Sequence, residues 1–178
     1  MAQYNIIAES QEYTVVAEYD HVATPAEAYQ SEADLEKEFI RLLGEQGYEY
    51  LPIHTEADLI SNLRTQLEKL NHYHFTDSEW EQFFNEYIAN KNDDIVAKTQ
   101  KIQDDYIQVL KRDTGESLNI KLIDKDNIHN NFVQVINQYV EEGGNYDTRY
   151  DVSILVNGLP LVHIELKRRG VQLKEAFN

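Results

Sequence analysis

The chain has no cysteine, which excludes a disulfide framework, thiolate metal sites and a cysteine nucleophile at once. Proline is scarce (3) and so is glycine (7), and no internal repeat or low-complexity linker interrupts the sequence. No apolar run approaches the roughly 20 residues that a membrane helix needs. The opening "MAQYNIIAES" lacks the basic start and apolar core of a secretion signal. We therefore expect a soluble, intracellular protein with no membrane partner. Positive charge is also in short supply: 16 Lys and Arg stand against 32 Asp and Glu, a formal charge of −16. A free-standing nucleic-acid binder carries a basic face, so the overall balance speaks against one.

The charge is unevenly spread. Residues 1–50 hold 11 acids against Lys37 and Arg41. Residues 159–178 hold Lys167, Arg168, Arg169 and Lys174 against Glu165 and Glu175. The most basic short run thus follows directly on an acid-x-lysine triplet. With 178 residues, 42% of them hydrophobic and 12 of them Tyr, the chain is long and apolar enough for one domain with a real core.

Hydrophobic spacing orders the elements. Residues 4–19 read as one or two short strands. Residues 31–46, "SEADLEKEFIRLLGEQ", form the clearest helix: Ser31 and Asp34 give a capping pattern, Leu35, Phe39, Leu42 and Leu43 line one face, and Gly47 follows as a stop. "YEYLPI" is a short extended segment, and residues 57–71 and 77–98 read as two more helices. Thr76 and Glu79 cap the second of them, and its Trp80, Phe83, Phe84 and Tyr87 stripe is helix packing rather than a cofactor site. After residue 105 the period falls to two, and "YIQVLKRDTGESLNIKLID" reads as a hairpin through Asp-Thr-Gly. "NNFVQVINQYVEEGG" leaves strand and helix both open, its β-branched content favouring strand. Asn157-Gly158 marks a second hairpin, and "VQLKEAFN" begins a helix.

That second hairpin carries charge where sheet is expected to be buried. Side chains alternate faces along a strand, so Glu165 and Lys167 project together, roughly 7 Å apart at about 3.3 Å per residue. Asp151, on the preceding strand, lies far from the turn and across from the neighbourhood of Glu165. Two carboxylates a few ångströms apart repel unless a cation sits between them. Mg²⁺ takes one or two carboxylates and shares its other positions with water and phosphate oxygens. The Leu166 carbonyl is a candidate extra ligand, and Lys167 can orient water or offset charge on phosphorus. An acid-x-lysine triplet is weak evidence by itself, although Glu165-Leu166-Lys167 is the only one in the chain. A plain cross-strand ion pair of Lys167 with Asp151 or Glu165 explains the same residues.

The run Asp151-x13-Glu165-Leu166-Lys167 resembles the PD-(D/E)xK nuclease motif. With "SEADLEKEFIRLLGEQGYEY" and "RYDVSILVNGLPLVHIELKR", the whole chain is similar to the N-terminal nuclease region of the R (restriction and translocation) subunit of type I restriction-modification enzymes. The resemblance implies an α+β (α/β) restriction-endonuclease-like fold, a mixed sheet flanked by helices, with residues 1–178 as a single endonuclease domain of a larger motor subunit. It implies Asp151 and Glu165 as Mg²⁺ ligands and Lys167 as the catalytic lysine. The "P" of the motif's name is Tyr150 here. A Gln-x-x-x-Tyr motif that many R subunits carry after the lysine is not reached by Asn178, so this segment alone is expected to cut poorly. Double-stranded DNA and the modification and specificity subunits are the implied partners, and the bacterial cytoplasm the implied location. ATP is implied for the parent subunit only, because no G-x-x-x-x-G-K-[ST] phosphate loop occurs.

Nucleases of this class often place an acid on the first helix near the metal. Glu36 is the candidate, with Glu32 and Glu38 competing. Arg168, Arg169 and Lys174 are candidate DNA-backbone contacts, and His163, on the face of Glu165, is another. His72 and His74 lack a third ligand. The rival reading is a nuclease-like module without catalysis, docking to or regulating the motor and partner subunits.

Overall fold

The computed structural model describes residues 3–9, 15–20, 31–141 and 148–167. The chain falls into two compact units, Met1–Ser31 and Glu32–Asn178. In the first, β1 (Gln3–Glu9) and β2 (Val15–Asp20) form an antiparallel pair with a bulge between Ile6 and Ala8.

The second unit opens with α1 (Glu32–Glu45), whose acids Glu32 and Asp34 in the first turn complement the helix dipole. It stops at Gly47, whose φ of 93° suits a residue without a Cβ. Then come β3 (Glu49–Tyr50) and α2 (Glu56–Asn71). Thr55 caps the start of α2 by accepting from Asp58 N–H, and His72 ends it in the left-handed region at φ 50°.

The single helix expected over 77–98 is broken in the structure. Thr76 and Glu79 form the anticipated capping box of α3 (Asp77–Phe83), but the chain then widens into one π-helical turn, Phe84–Ile88, and leaves the helix. A separate α4 (Ile95–Gln103) restarts behind Asp94, whose carboxylate accepts from Ala97 N–H at 2.8 Å. The intervening "NKNDD" is the cause. Asn90 and Asp94 bond neighbouring backbone N–H groups, competing with helix continuation.

The expected hairpin is β4 (Ile107–Lys111) with β5 (Ser117–Lys121), turning through Gly115 at φ 86°. The segment left open between strand and helix is a strand, β6 (Val133–Glu141). It is followed by β7 (Thr148–Val156) and β8 (Leu159–Ile164). The main sheet has the order β3-β6-β7-β8, with β3 parallel to β6 and the other neighbours antiparallel. With its flanking helices this is the α+β architecture of a mixed sheet that the sequence implied. Among the described residues no helix is long and apolar enough to cross a membrane.

Successive β6 residues enter different cores, as a sheet covered on both faces requires. Val135 joins Val152 and Leu43 of α1, while Ile136 joins Leu155, Tyr139 and Ile53, with Leu59 of α2 packed against them. A third cluster lies under α2, α3 and the β4–β5 hairpin and includes Leu63, Leu67, Phe75, Phe83, Leu110 and Ile120.

Glu79, beside that third cluster, is 2% exposed. Its carboxylate accepts from Tyr73 OH at 2.7 Å, Thr76 N–H at 3.0 Å and Asp113 N–H at 3.1 Å, with Arg112 Nε 3.9 Å away. Burial pushes its pKa up, but the Tyr73, Thr76 and Asp113 donors and the Arg112 charge together hold it below the ordinary carboxylate value. A depressed carboxylate contributes stability that is present above the unfolded pKa of about 4.3 and is lost as pH falls through the lower folded value. Glu79→Ala strands these donors, and we expect a loss of about 3–5 kcal/mol in urea denaturation at pH 7. The gap to the parent protein should narrow as the pH is lowered below about 4.

Candidate functional site

Asn157 and Gly158 turn β7 into β8 with φ of 52° and 82°. Positive φ at both central residues is what a two-residue type I′ hairpin demands. The turn is pinned. Asn157 is fully buried, donating to Leu122 O at 3.0 Å and Asn131 Oδ1 at 2.8 Å and accepting from Phe132 N–H at 2.8 Å. A Cβ on Gly158 would lie 2.5 Å from Leu63 Cα, so only glycine lets α2 approach.

Beside the turn, Val156 pairs with Leu159 and Leu155 with Pro160. Further out the partners are Ile154 with Val162, Ser153 with His163 and Val152 with Ile164. Leu161 is therefore the extra residue of a β-bulge. Its effect on the site is decisive. Extrapolated from the turn without a bulge, the register sets Asp151 against Ile164, which packs into the α1 core. With Leu161 inserted, the last pair of the ladder is Val152 with Ile164; β8 ends there, so Glu165 and Lys167, expected on the strand, follow directly beyond it. The Asn157-Gly158 signal places the hairpin, and the bulge adds a one-residue shift to its outer half.

Asp151 Oδ2 accepts from Leu166 N–H at 2.7 Å, and the Leu166 side chain packs against the core that holds Leu43 and Val152. Lys167 Nζ donates to Glu165 Oε1 at 2.6 Å, both side chains being partly exposed. The hydrogen bond that Lys167 donates to Glu165 is the largest influence on the lysine and raises its pKa. Partial burial opposes the shift, and the charges of Glu165, Glu32 and Asp151 add to it. Three carboxylates thus favour the ammonium form of Lys167. One of them, Glu32, is the first residue of α1.

Glu36, the helix acid preferred from the sequence, turns both carboxylate oxygens to β6. Oε1 accepts from Asn137 Nδ2 at 2.6 Å and Oε2 from Gln138 Nε2. Asn137 in turn accepts from Tyr50 OH at 2.9 Å, and Gln138 accepts from Arg149 Nε. His163 stacks on Tyr150, ring centroids 4.0 Å apart, and its Nδ1 is 2.8 Å from Ser153 Oγ. With Leu59, Ile136, Tyr139 and Pro160 these residues line a small cleft. Arg168, Arg169 and Lys174, and the helix expected from Val171, lie outside the described residues. Gln138 was missed by sequence reasoning: nothing in an alternating strand pattern marks a residue whose backbone will be left-handed, as its φ of 54° is.

Among the described residues no group of three or more His, Cys, Asp or Glu side chains could by itself hold a metal ion. The donors at the hairpin are two carboxylates, Asp151 and Glu165, beside the Leu166 peptide. These are hard oxygen donors of the number that Mg²⁺ takes from a protein when water and phosphate supply the rest, so the residues present fit that ion.

Comparison with known proteins fixes the family. A family model described as "Type I restriction enzyme R protein N terminus" matches residues 29–178. The chain belongs to this family. The Escherichia coli "Type I restriction enzyme EcoprrI endonuclease subunit" is 47% identical over 173 residues, covering 97% of this chain and 55% of the relative. The Staphylococcus saprophyticus "Type I restriction enzyme SsaAORF53P endonuclease subunit" is 39% identical over 155 residues, 84% of this chain and 16% of the relative. A Staphylococcus aureus relative, the SauCOLORF180P endonuclease subunit, is 38% identical over 156 residues, 85% of the chain and 16% of its own length. The chain thus spans about half of the first R-family relative and about a sixth of the other two.

Proposed function

We propose that this R-family chain is the DNA-cleaving domain of a type I restriction enzyme, a Mg²⁺-dependent endonuclease that hydrolyses phosphodiester bonds. The observation that carries the reading is the bulged hairpin: Asp151 anchored on the Leu166 peptide, which lies between Glu165 and Lys167 just past the end of β8, with Lys167 bonded to Glu165. Asp151 and Glu165, with the Leu166 carbonyl, would hold the ion. Bound there, Mg²⁺ supplies an activated water and neutralises charge on the phosphoryl oxygens. The protein's part is positioning and charge. Leu166 N–H fixes one oxygen of Asp151 and leaves the carboxylate's other oxygen for a ligand. Lys167, hydrogen-bonded to Glu165, is suited to orient the attacking water and to offset the charge that grows on the phosphate.

In this reading double-stranded DNA is the substrate and the modification and specificity subunits are partners. ATP serves the parent subunit. The excess of acid follows, since a module that receives DNA from a motor needs little affinity of its own.

The test is Asp151→Asn in the restriction complex. We expect DNA cleavage to fall by about 10²–10³-fold and Mn²⁺ binding, read by water-proton relaxation, to weaken at least tenfold, with ATP hydrolysis unchanged. Undiminished cleavage would refute the assignment.

A further inference from the structure

Asp151 is central to the proposed site, yet nothing in β7 itself explains why its carboxylate reaches the Leu166 peptide. The ladder with β6 pairs Asn137 with Val152 and Tyr139 with Tyr150, and skips the position between them, Gln138 against Asp151. The skipped β6 residue has φ 54°. A non-glycine residue in this region in the middle of a strand is strained, and such strain persists only where surrounding contacts hold it.

Here the holding contacts are visible. Gln138 Nε2 donates to Glu36 of α1, and Gln138 Oε1 accepts from Arg149 of β7, so the one amide is gripped from both sides. Glu36 is itself braced by Asn137 Nδ2 at 2.6 Å. The consequence shows in β7. Residues three apart on a regular strand face opposite ways, but Tyr150 and Ser153 both touch the ring of His163. The alternation is therefore broken between them, around Asp151. Asp151 pairs in neither ladder, and its Oδ2 takes the Leu166 N–H instead.

We infer that Gln138 is a positioning residue for the proposed nuclease site: its left-handed backbone, clamped by Glu36 and Arg149, breaks the β6–β7 ladder at Asp151 and turns that carboxylate to the Leu166 peptide. The inference rests on the reading of Asp151 as a ligand. It gives Glu36 a task that explains both of its bonds, namely bracing the kink.

Two variants of the full chain separate backbone from side chain. Gln138→Gly removes both amide bonds but permits positive φ, whereas Gln138→Val opposes positive φ with a β-branched side chain. The readouts are Mn²⁺ affinity by water-proton relaxation and the amide resonance of Leu166 by NMR. Neither moves if Gln138 matters only to stability. We expect the glycine variant to melt lower yet keep Mn²⁺ affinity within about threefold and the Leu166 amide in place, and the valine variant to lose at least tenfold in affinity and shift that amide upfield. Parent-like Mn²⁺ affinity and Leu166 amide in the valine variant overturn the inference. So does loss of both in the glycine variant, which decides the matter even if the valine variant does not fold. Should the parent chain bind no Mn²⁺ through Asp151, the nuclease reading fails, and the Leu166 amide still decides whether Gln138 positions Asp151.

Discussion

Lys167→Ala in the assembled restriction complex is expected to lower DNA cleavage by about 10³-fold while ATP hydrolysis and Mn²⁺ binding persist. The size follows from removing one preorganised charge aimed at a phosphoryl centre, which costs on the order of 10²–10³ in rate. The sparing of the metal follows from the geometry. Lys167 contacts Glu165 but not the Asp151–Leu166 bond, so the carboxylates survive its removal. Mn²⁺ binding should even tighten modestly, because Glu165 loses the ammonium that now takes its Oε1. Lys167→Arg keeps the charge but offers a planar fork in place of a compact ammonium, and is expected to restore only a minor part of the rate. Cleavage assays beside an ATPase assay on the same preparations check both points. Full cutting by Lys167→Ala would leave the Lys167–Glu165 contact as an ordinary ion pair of the kind that exposed strands carry.

Much of the architecture is visible in residue order because it is local. The helix read over 31–46 is α1, Glu32–Glu45, since an apolar stripe and a following glycine are encoded within a few residues of the ends they specify. The Asn157-Gly158 hairpin is likewise local, positive φ being cheap for those two residues. The helix expected over 77–98 failed where a strong aromatic stripe ran into "NKNDD", and side-chain bonds from Asn90 and Asp94 to nearby N–H groups won. The candidate site was legible as composition: Asp151 lies on β7, and Glu165 and Lys167 lie just past the end of β8. Its assembly was not, because it depends on two irregularities that no alternation pattern predicts: the extra residue Leu161 in β8 and the positive φ of Gln138 in β6. Both are imposed by contacts far along the chain.

Deleting Leu161 and Val162 together tests the register of β8. Loss of Leu161 alone removes the bulge but keeps every pair, Leu155 with Pro160 and Ile154 with Val162 becoming successive steps of a regular ladder. Loss of both leaves the strand one residue short, and the hairpin has two ways to accommodate that. It can preserve the outer register, where Ile164 and Leu166 pack partly buried on the α1 core, by straining the turn. Or it can preserve the turn and slip the outer half of β8 by one residue. The turn is the better anchored of the two: the buried Asn157 side chain makes three hydrogen bonds, and Gly158 sits against the α2 backbone at Leu63. The slip should therefore win, and a one-residue slip sends each following side chain to the other face. Glu165 and Lys167 would exchange faces with Ile164 and Leu166. We expect cleavage to fall at least about 10³-fold, as for loss of a whole electrostatic unit, and Mn²⁺ binding to be lost, with the domain still folded but less stable. Deletion of Leu161 alone is the matched control. Leu161 and Val162 are 38% and 45% exposed, so neither deletion removes much packing. The single deletion should cut within about threefold of the parent. A double deletion that cuts as well as the single one would show that the acids meet by some route other than the register of β8.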